Sequence, residues 1–212
     1  MRAIVRIKII RVCCFAITIK NNNIIYYMIW LGVDIGYYNM AFVQFDTETR
    51  KVLQIKKVDI TRYTHNRVDA CDCKLNHTTH IADMFLHMLQ EHRELFDGSD
   101  HIFIERQPPT GLTSIESLYF YTFRDKCTIV SPNSMHKHFN IGHLDYESRK
   151  EKTEEIAFKY LKDNTYYLSL SRKHDVADAL CFLLYELSRV KKVKKEPLHL
   201  PFENYRFVLQ VK

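Results

Sequence analysis

Four acidic residues stand in stretches that otherwise read as buried core. Asp34 lies in LGVDIGYYN. Side chains alternate across a strand, so Gly32, Asp34 and Gly36 share one face while Leu31, Val33 and Ile35 point to the core. The two glycines strip bulk from around a single carboxylate, leaving room for a metal ion or a phosphate. The same letters also suit an aspartate that caps a turn. HIFIERQ repeats the pattern: Ile102 and Ile104 form one face, and Glu105 ends the other beside Phe103 and His101. In HDVADALCFLLYEL, Asp175 and Asp178 are three apart and share one side of a helix's first turn. Val176, Leu180, Leu183, Leu184 and Leu187 make the buried stripe of that helix. Helix capping alone would account for the aspartate pair, since acidic residues gain ~0.3–1 kcal/mol at an N-terminus.

Gathering all four carboxylates at one edge is costly, because like charges ~4 Å apart repel by ~4 kcal/mol at an effective dielectric near 20. A divalent cation removes that cost. Hard oxygen donors without a matched His/Cys set favour Mg²⁺, with Mn²⁺ as a substitute, over zinc. Three or four carboxylates holding two ions ~3.5–4 Å apart are the device for phosphodiester cleavage.

The elements that must position these groups follow from periodicity. Residues 28–60 read as three strands joined by short polar turns, an antiparallel meander. A looser segment over 61–76 leads to a helix of about twenty residues whose apolar face runs Ile81, Phe85, Met88, Leu89, Leu95. A strand (HIFIERQ), a second helix (TSIESLYFYTFR) and a strand (CTIVSP) follow. A third helix opens at Ser148 with a Ser148-to-Glu151 capping box, and a fourth spans about 174–190. Three strands, helix, strand, helix, strand, helix, helix is the order of an α/β domain whose mixed sheet is covered by helices.

GVDIG, IFIERQP, SPNSMHK and HDVADAL, in that order, resemble the four blocks of RuvC-type Holliday junction resolvases, and IERQP resembles the branch found in poxviruses and other large DNA viruses. The resemblance covers residues 28–190. It implies a ribonuclease H-like fold with a five-stranded sheet of three antiparallel and then parallel strands. It implies a homodimeric, Mg²⁺-dependent endonuclease that nicks opposed strands of a four-way DNA junction. Asp34, Glu105, Asp175 and Asp178 would be the metal ligands. Lys150 or Lys152 would approach the scissile phosphate, and Arg106, Gln107, Lys137, Arg172 and Lys173 would contact DNA. His174 reads as a helix cap with general base as the alternative. The helix over 81–96, with Met84, Phe85 and Met88, is a candidate dimer surface.

Other constellations in the sequence compete with this set. Cys71, Cys73, His77 and His80 are possible zinc ligands, but C-x-C is too short for the usual gap, so a polar loop reads better. Phe120, Tyr121 and Phe123 beside Tyr119 and Arg124 could stack on unpaired bases, although an aromatic stripe on a helix is usually core. LGVDIGYYN also resembles the first phosphate loop of actin-like and sugar-kinase ATPases, whose second loop would have to be FDGSD at the wrong spacing. Another nuclease of the same fold, cutting flaps or RNA–DNA hybrids, is the nearer alternative.

The 212 residues suit one domain. A net charge of +6 permits a polyanionic partner. Six irregularly spaced cysteines argue against a disulfide framework and for a reduced, intracellular setting. That setting would be the site of viral DNA replication if the chain is viral, or else a mitochondrion. Residues 1–27 carry basic residues among β-branched apolar ones and read as an extension. The nuclease domain is expected over 28–196, with a tail over 197–212. No run reaches the ~20 apolar residues of a membrane span.

Overall fold

The computed structural model describes residues 16–20, 23–64, 74–75 and 77–193. Within the expected N-terminal extension, β1 (Ala16–Lys20) and β2 (Asn23–Tyr27) pair as an antiparallel hairpin outside the main sheet. The expected C-terminal tail lies outside the described residues. Strands β3 (Ile29–Asp34), β4 (Met40–Asp46) and β5 (Lys51–Val58) form the antiparallel meander read from the sequence. A 3₁₀ turn at Ile60–Tyr63 follows, then helices α1 (Ile81–Glu91) and α2 (Arg93–Asp97). Next come β6 (His101–Glu105), α3 (Thr113–Thr122), β7 (Cys127–Val130), α4 (Pro132–His138), α5 (Tyr146–Leu161), α6 (Thr165–Ser169) and α7 (His174–Val193). The sheet order is β5-β4-β3-β6-β7, with β6 parallel to both β3 and β7. It is the mixed five-stranded, helix-flanked sheet expected of a ribonuclease H-like fold.

Both faces of this sheet are buried, so the alternation in β3 separates two cores. Leu31, Val33, Ile102 and Ile104 pack with Met84, Phe85, Met88 and Phe96 of α1 and α2 and with Tyr119 of α3. Trp30, Val43, Phe45 and Phe103 pack on the other face with Val176, Ala179, Leu180 and Leu183 of α7. Asp34 belongs to that second face, at the C-terminal end of the strand.

Gly32 has a different purpose from the one its place beside Asp34 suggests. A Cβ there would run into the Ala179 carbonyl oxygen and lie 2.9 Å from Leu183 Cγ. Its bareness lets α7 approach β3, which brings the aspartates of that helix to the sheet's end. Gly36 serves the turn, since its Cβ would crowd the Asn39 carbonyl at 3.1–3.2 Å.

Two local expectations are corrected. The helix beginning at Ile81 breaks at His92 (φ −110°, ψ 24°), and α2 starts anew at Arg93. The third helix starts two residues before Ser148, and Asp145 caps it by accepting from the Ser148 N–H at 2.9 Å. Aspartate competes well for that place because its carboxylate accepts from the backbone at the positive end of the helix dipole. Ser148 instead donates its hydroxyl to Asp145. Among the described residues no helix is long and apolar enough to cross a membrane.

Candidate active site

Parallel pairing of β3 with β6 sets Gly32 opposite Phe103 and Val33 opposite Ile104. Asp34 and Glu105 end these neighbouring strands, and their carboxyl groups hydrogen-bond each other. Burial pushes Asp34 well above the usual carboxylate range, and the charges of Glu105 and Asp178 push it further. Burial also raises Glu105, against the hydrogen bonds from Asp34 and Gln107. Both carboxyl groups therefore hold a proton more readily than free carboxyl groups do.

Helix α7 adds its acidic groups from across the α7–β3 contact. Asp178 accepts from Lys150 Nζ at 3.0 Å. Burial opposes the Lys150 ammonium, but Asp178 and Asp34 more than offset it and hold its pKa above the ordinary lysine value. Asp175 is buried one turn earlier. It takes Lys57 Nζ at 2.6 Å and both Nε and Nη2 of Arg172 at 3.2 Å. Those hydrogen bonds outweigh its burial and lower its pKa. Two aspartates of identical type and near-identical place thus have opposite surroundings. Asp178 faces the shared cavity, while Asp175 faces β5.

Glu105, Lys150 and Asp178 line a cavity of about 120 Å³, closed by His136, Tyr146, Arg149, Thr153 and Phe182. A second cavity of about 430 Å³ adjoins it through His136 and Arg149, and is otherwise lined by Asn133, Lys137, Asn140, Gly142 and His143. No carboxylate lines this second cavity.

The remaining candidates sort themselves by contact. Lys152 turns away and pairs with Glu155 at 2.7 Å on the exposed side of α5, leaving Lys150 as the lysine at the cavity. Gln107 is spent inside the protein: its amide donates to Glu105 at 2.8 Å, and its carbonyl accepts from the Leu112 N–H. It orients Glu105 where the sequence suggested a DNA contact. Arg106 is exposed, Lys137 lines the second cavity, Arg172 is held by Asp175, and Lys173 is half-buried. The His174 ring lies between Glu154 and Asp175, 3.7 and 3.2 Å away, at the first residue of α7. Burial and the Lys150 charge lower its pKa, which favours the neutral ring.

Tyr119 is core, while Tyr121 is 82% exposed and Arg124 lies over the Phe120 ring at 5.9 Å. Cys71 and Cys73 lie outside the described residues. His80 Nδ1 accepts from the Ala82 N–H and caps α1. FDGSD ends α2 with Gly98 as its C-cap, and Asp100 accepts from the Ile29 N–H at 2.6 Å. That places it at the far end of β3 from Asp34, so no second phosphate loop faces the first. Lys57, His136 and Arg149 escaped sequence reasoning because only the fold brings them to the carboxylates.

Whether this donor set suits a divalent ion can be tested on its chemistry. Its acceptors are all hard oxygens, and Asp34 and Glu105 are raised first by burial and then by neighbouring carboxylates, both of which a cation would offset. As they stand, among the described residues no three His, Cys, Asp or Glu side chains are close enough to hold an ion. Both aspartates of α7 are drawn onto cations of the protein. The donor chemistry therefore fits a hard divalent ion once the lysines yield.

No family model and no curated protein matches this sequence. The fold, however, is similar to solved structures. The fowlpox virus Holliday junction resolvase superposes with a TM-score of 0.50 at 16% identity, covering 77% of this chain and 99% of that one. Its complex with a substrate Holliday junction gives 0.50 at 18% identity, with the same coverage. The yeast mitochondrial Holliday junction resolvase gives 0.53 at 16% identity, over 78% of this chain and 83% of that one. The RuvC-type resolvase fold anticipated from the four sequence blocks is the one observed.

Proposed function

We propose that this chain is a divalent-metal-dependent DNA endonuclease that resolves four-way junctions. One observation carries the reading: Asp34 and Glu105 end adjacent parallel strands side by side, next to the Asp178–Lys150 pair, on a fold also used by junction resolvases. Asp34, Glu105 and Asp178 would hold the ions, with Asp175 as the fourth ligand. Mg²⁺, or Mn²⁺ in its place, would supply activation of the attacking water and neutralisation of the leaving oxygen.

The chain's own residues set the geometry. Gln107 fixes the Glu105 carboxylate, and Gly32 sets the depth of α7 and hence of Asp178. Lys150 stands where charge would develop on the scissile phosphate and, kept protonated by Asp178, would neutralise part of it. The DNA backbone would continue into the carboxylate-free second cavity, along His136, Lys137, His143 and Arg149, with Arg106, Arg172 and Lys173 at the margins. Contacts of this kind recognise shape and charge and make binding salt-sensitive.

A homodimer fits a substrate with two equivalent strands to cut, because two-fold symmetry presents the same site twice. The face first considered for that contact is taken: Met84, Phe85 and Met88 are buried against the sheet.

Asp34→Asn tests the reading. Cleavage of a four-way junction should disappear while gel-shift affinity holds or tightens, since a neutral side chain eases phosphate approach. Loss of binding by a folded Asp34→Asn protein would make Asp34 structural and end the proposal.

A further inference from the structure

Lys57 lies on β5, 118 residues from Asp175 in sequence, and no part of the catalytic reading calls for it. Its ammonium is nonetheless among the most completely satisfied charges in the molecule. It donates to Asp175 Oδ2 at 2.6 Å, to Asn39 Oδ1 at 3.1 Å and to the Arg172 carbonyl at 3.4 Å. Three N–H donors meet three acceptors. The side chains of Lys57 and Asp175 are only 13% and 6% exposed, so solvent does little to weaken the pair. From the carboxylate's side, Oδ2 takes Lys57 and Arg172 Nε, Oδ1 takes Arg172 Nη2, and His174 Nε2 lies 3.2 Å from Oδ1. No oxygen of Asp175 is left uncommitted.

We infer that Lys57 is a positioning residue that holds Asp175 in reserve: its ammonium takes the place of a cation beside the site, and a second divalent ion gains Asp175 only by displacing it. This rests on the metal-dependent reading above. Displacement leaves a largely buried ammonium with two neutral acceptors and breaks into a fully satisfied set of three. The first ion finds Asp34, Glu105 and Asp178, where Lys150 relieves the charge only in part and yields one hydrogen bond, so the second ion binds against the larger cost. The two binding steps should therefore differ widely in affinity.

Titration of the full chain with Mn²⁺ in the absence of DNA, followed by calorimetry and by the paramagnetic signal of free Mn²⁺, tests this. The unsubstituted protein should show one tight and one weak step. Lys57→Met keeps the apolar stem and removes the charge, and should tighten the weak step at least five-fold. Lys57→Arg should restore the separation, and Lys57→Gln serves if the methionine variant does not fold. Lys51→Met, on the same strand and exposed, makes the same charge change and should leave both steps unmoved. Two steps that Lys57→Met leaves unchanged, or that Lys51→Met tightens equally, would overturn the inference alone. Failure of the unsubstituted chain to bind Mn²⁺ would overturn the metal reading and this inference with it.

Discussion

Asp34 meets a charge problem that its strand position makes unavoidable. Folding removes it from water and sets it against Glu105 and Asp178, with Lys150 as partial relief. Its folded pKa is raised above the unfolded value, so the folded state keeps the proton to higher pH. The stability this contributes is full at acid pH and is lost as pH rises through the folded pKa. Asparagine cannot ionise. In metal-free buffer at pH 8, Asp34→Asn should therefore melt above the unsubstituted protein. The expected gain is a few degrees, given that ~1 kcal/mol is worth ~2–4 °C at this size. The gap should close as pH falls towards 4, and calorimetry across that range checks it. Asp175 follows the opposite sign: its pKa is lowered by Arg172 and Lys57, and the stability they lend disappears only as the carboxylate protonates in acid. Alternation and spacing located all four carboxylates in the sequence. They could not separate Asp175 from Asp178, because the difference between them is Lys57, which only the sheet brings near. Nor could they choose between Lys150 and Lys152, since the direction in which α5 presents each depends on its contact with α7.

At the scale of elements, the site depends on how closely α7 lies on β3. Gly32 sets that distance. Gly32→Ala would press a methyl group on the Ala179 carbonyl and Leu183. Overpacking of this kind costs typically ~1–3 kcal/mol. The melting temperature should fall by several degrees, and junction cleavage should fall more than junction binding, because Asp178 moves away from Asp34 while the outer basic groups stay. Equal losses of both would mean general unfolding and would remove Gly32 from the site's design. The periodicity of α7 was legible, and Val176, Leu180 and Leu183 are buried as their spacing implied. The break at His92 was not, because the apolar pattern runs through it to Leu95 and Phe96 while the backbone leaves the helical conformation at that one residue. The short α4 and α6 were also missed, since five to seven residues give too little periodicity to read.

The whole molecule combines a +6 chain with a cavity where Glu105 and Asp178 meet Lys150 and Arg149. Beside it lies a second cavity lined by Lys137 and Arg149 and by no carboxylate. The arrangement suits a metal-assisted nuclease of DNA: carboxylates for the ions next to cations for the backbone. The mixed, helix-covered sheet followed from the order of elements and from the family resemblance. The core on the second face did not, because alternation gave β3 one core face with Asp34 turned away from it, whereas α7 covers the Asp34 face as well. Assembly is a property of surfaces that no periodicity records. A two-fold dimer should scatter light as about twice the 25.3 kDa chain mass at micromolar concentration; a monomer, alone and on DNA, would count against paired nicking. The most direct test of the central claim maps cuts strand by strand. Purified protein is mixed with a mobile four-way junction or a linear duplex of the same sequence, with and without Mg²⁺. The account predicts nicks at symmetric positions on two opposed strands of the junction, only with Mg²⁺, and an intact duplex. Cutting of duplex and junction alike, or no cutting of the junction in Mg²⁺ or Mn²⁺, would contradict it.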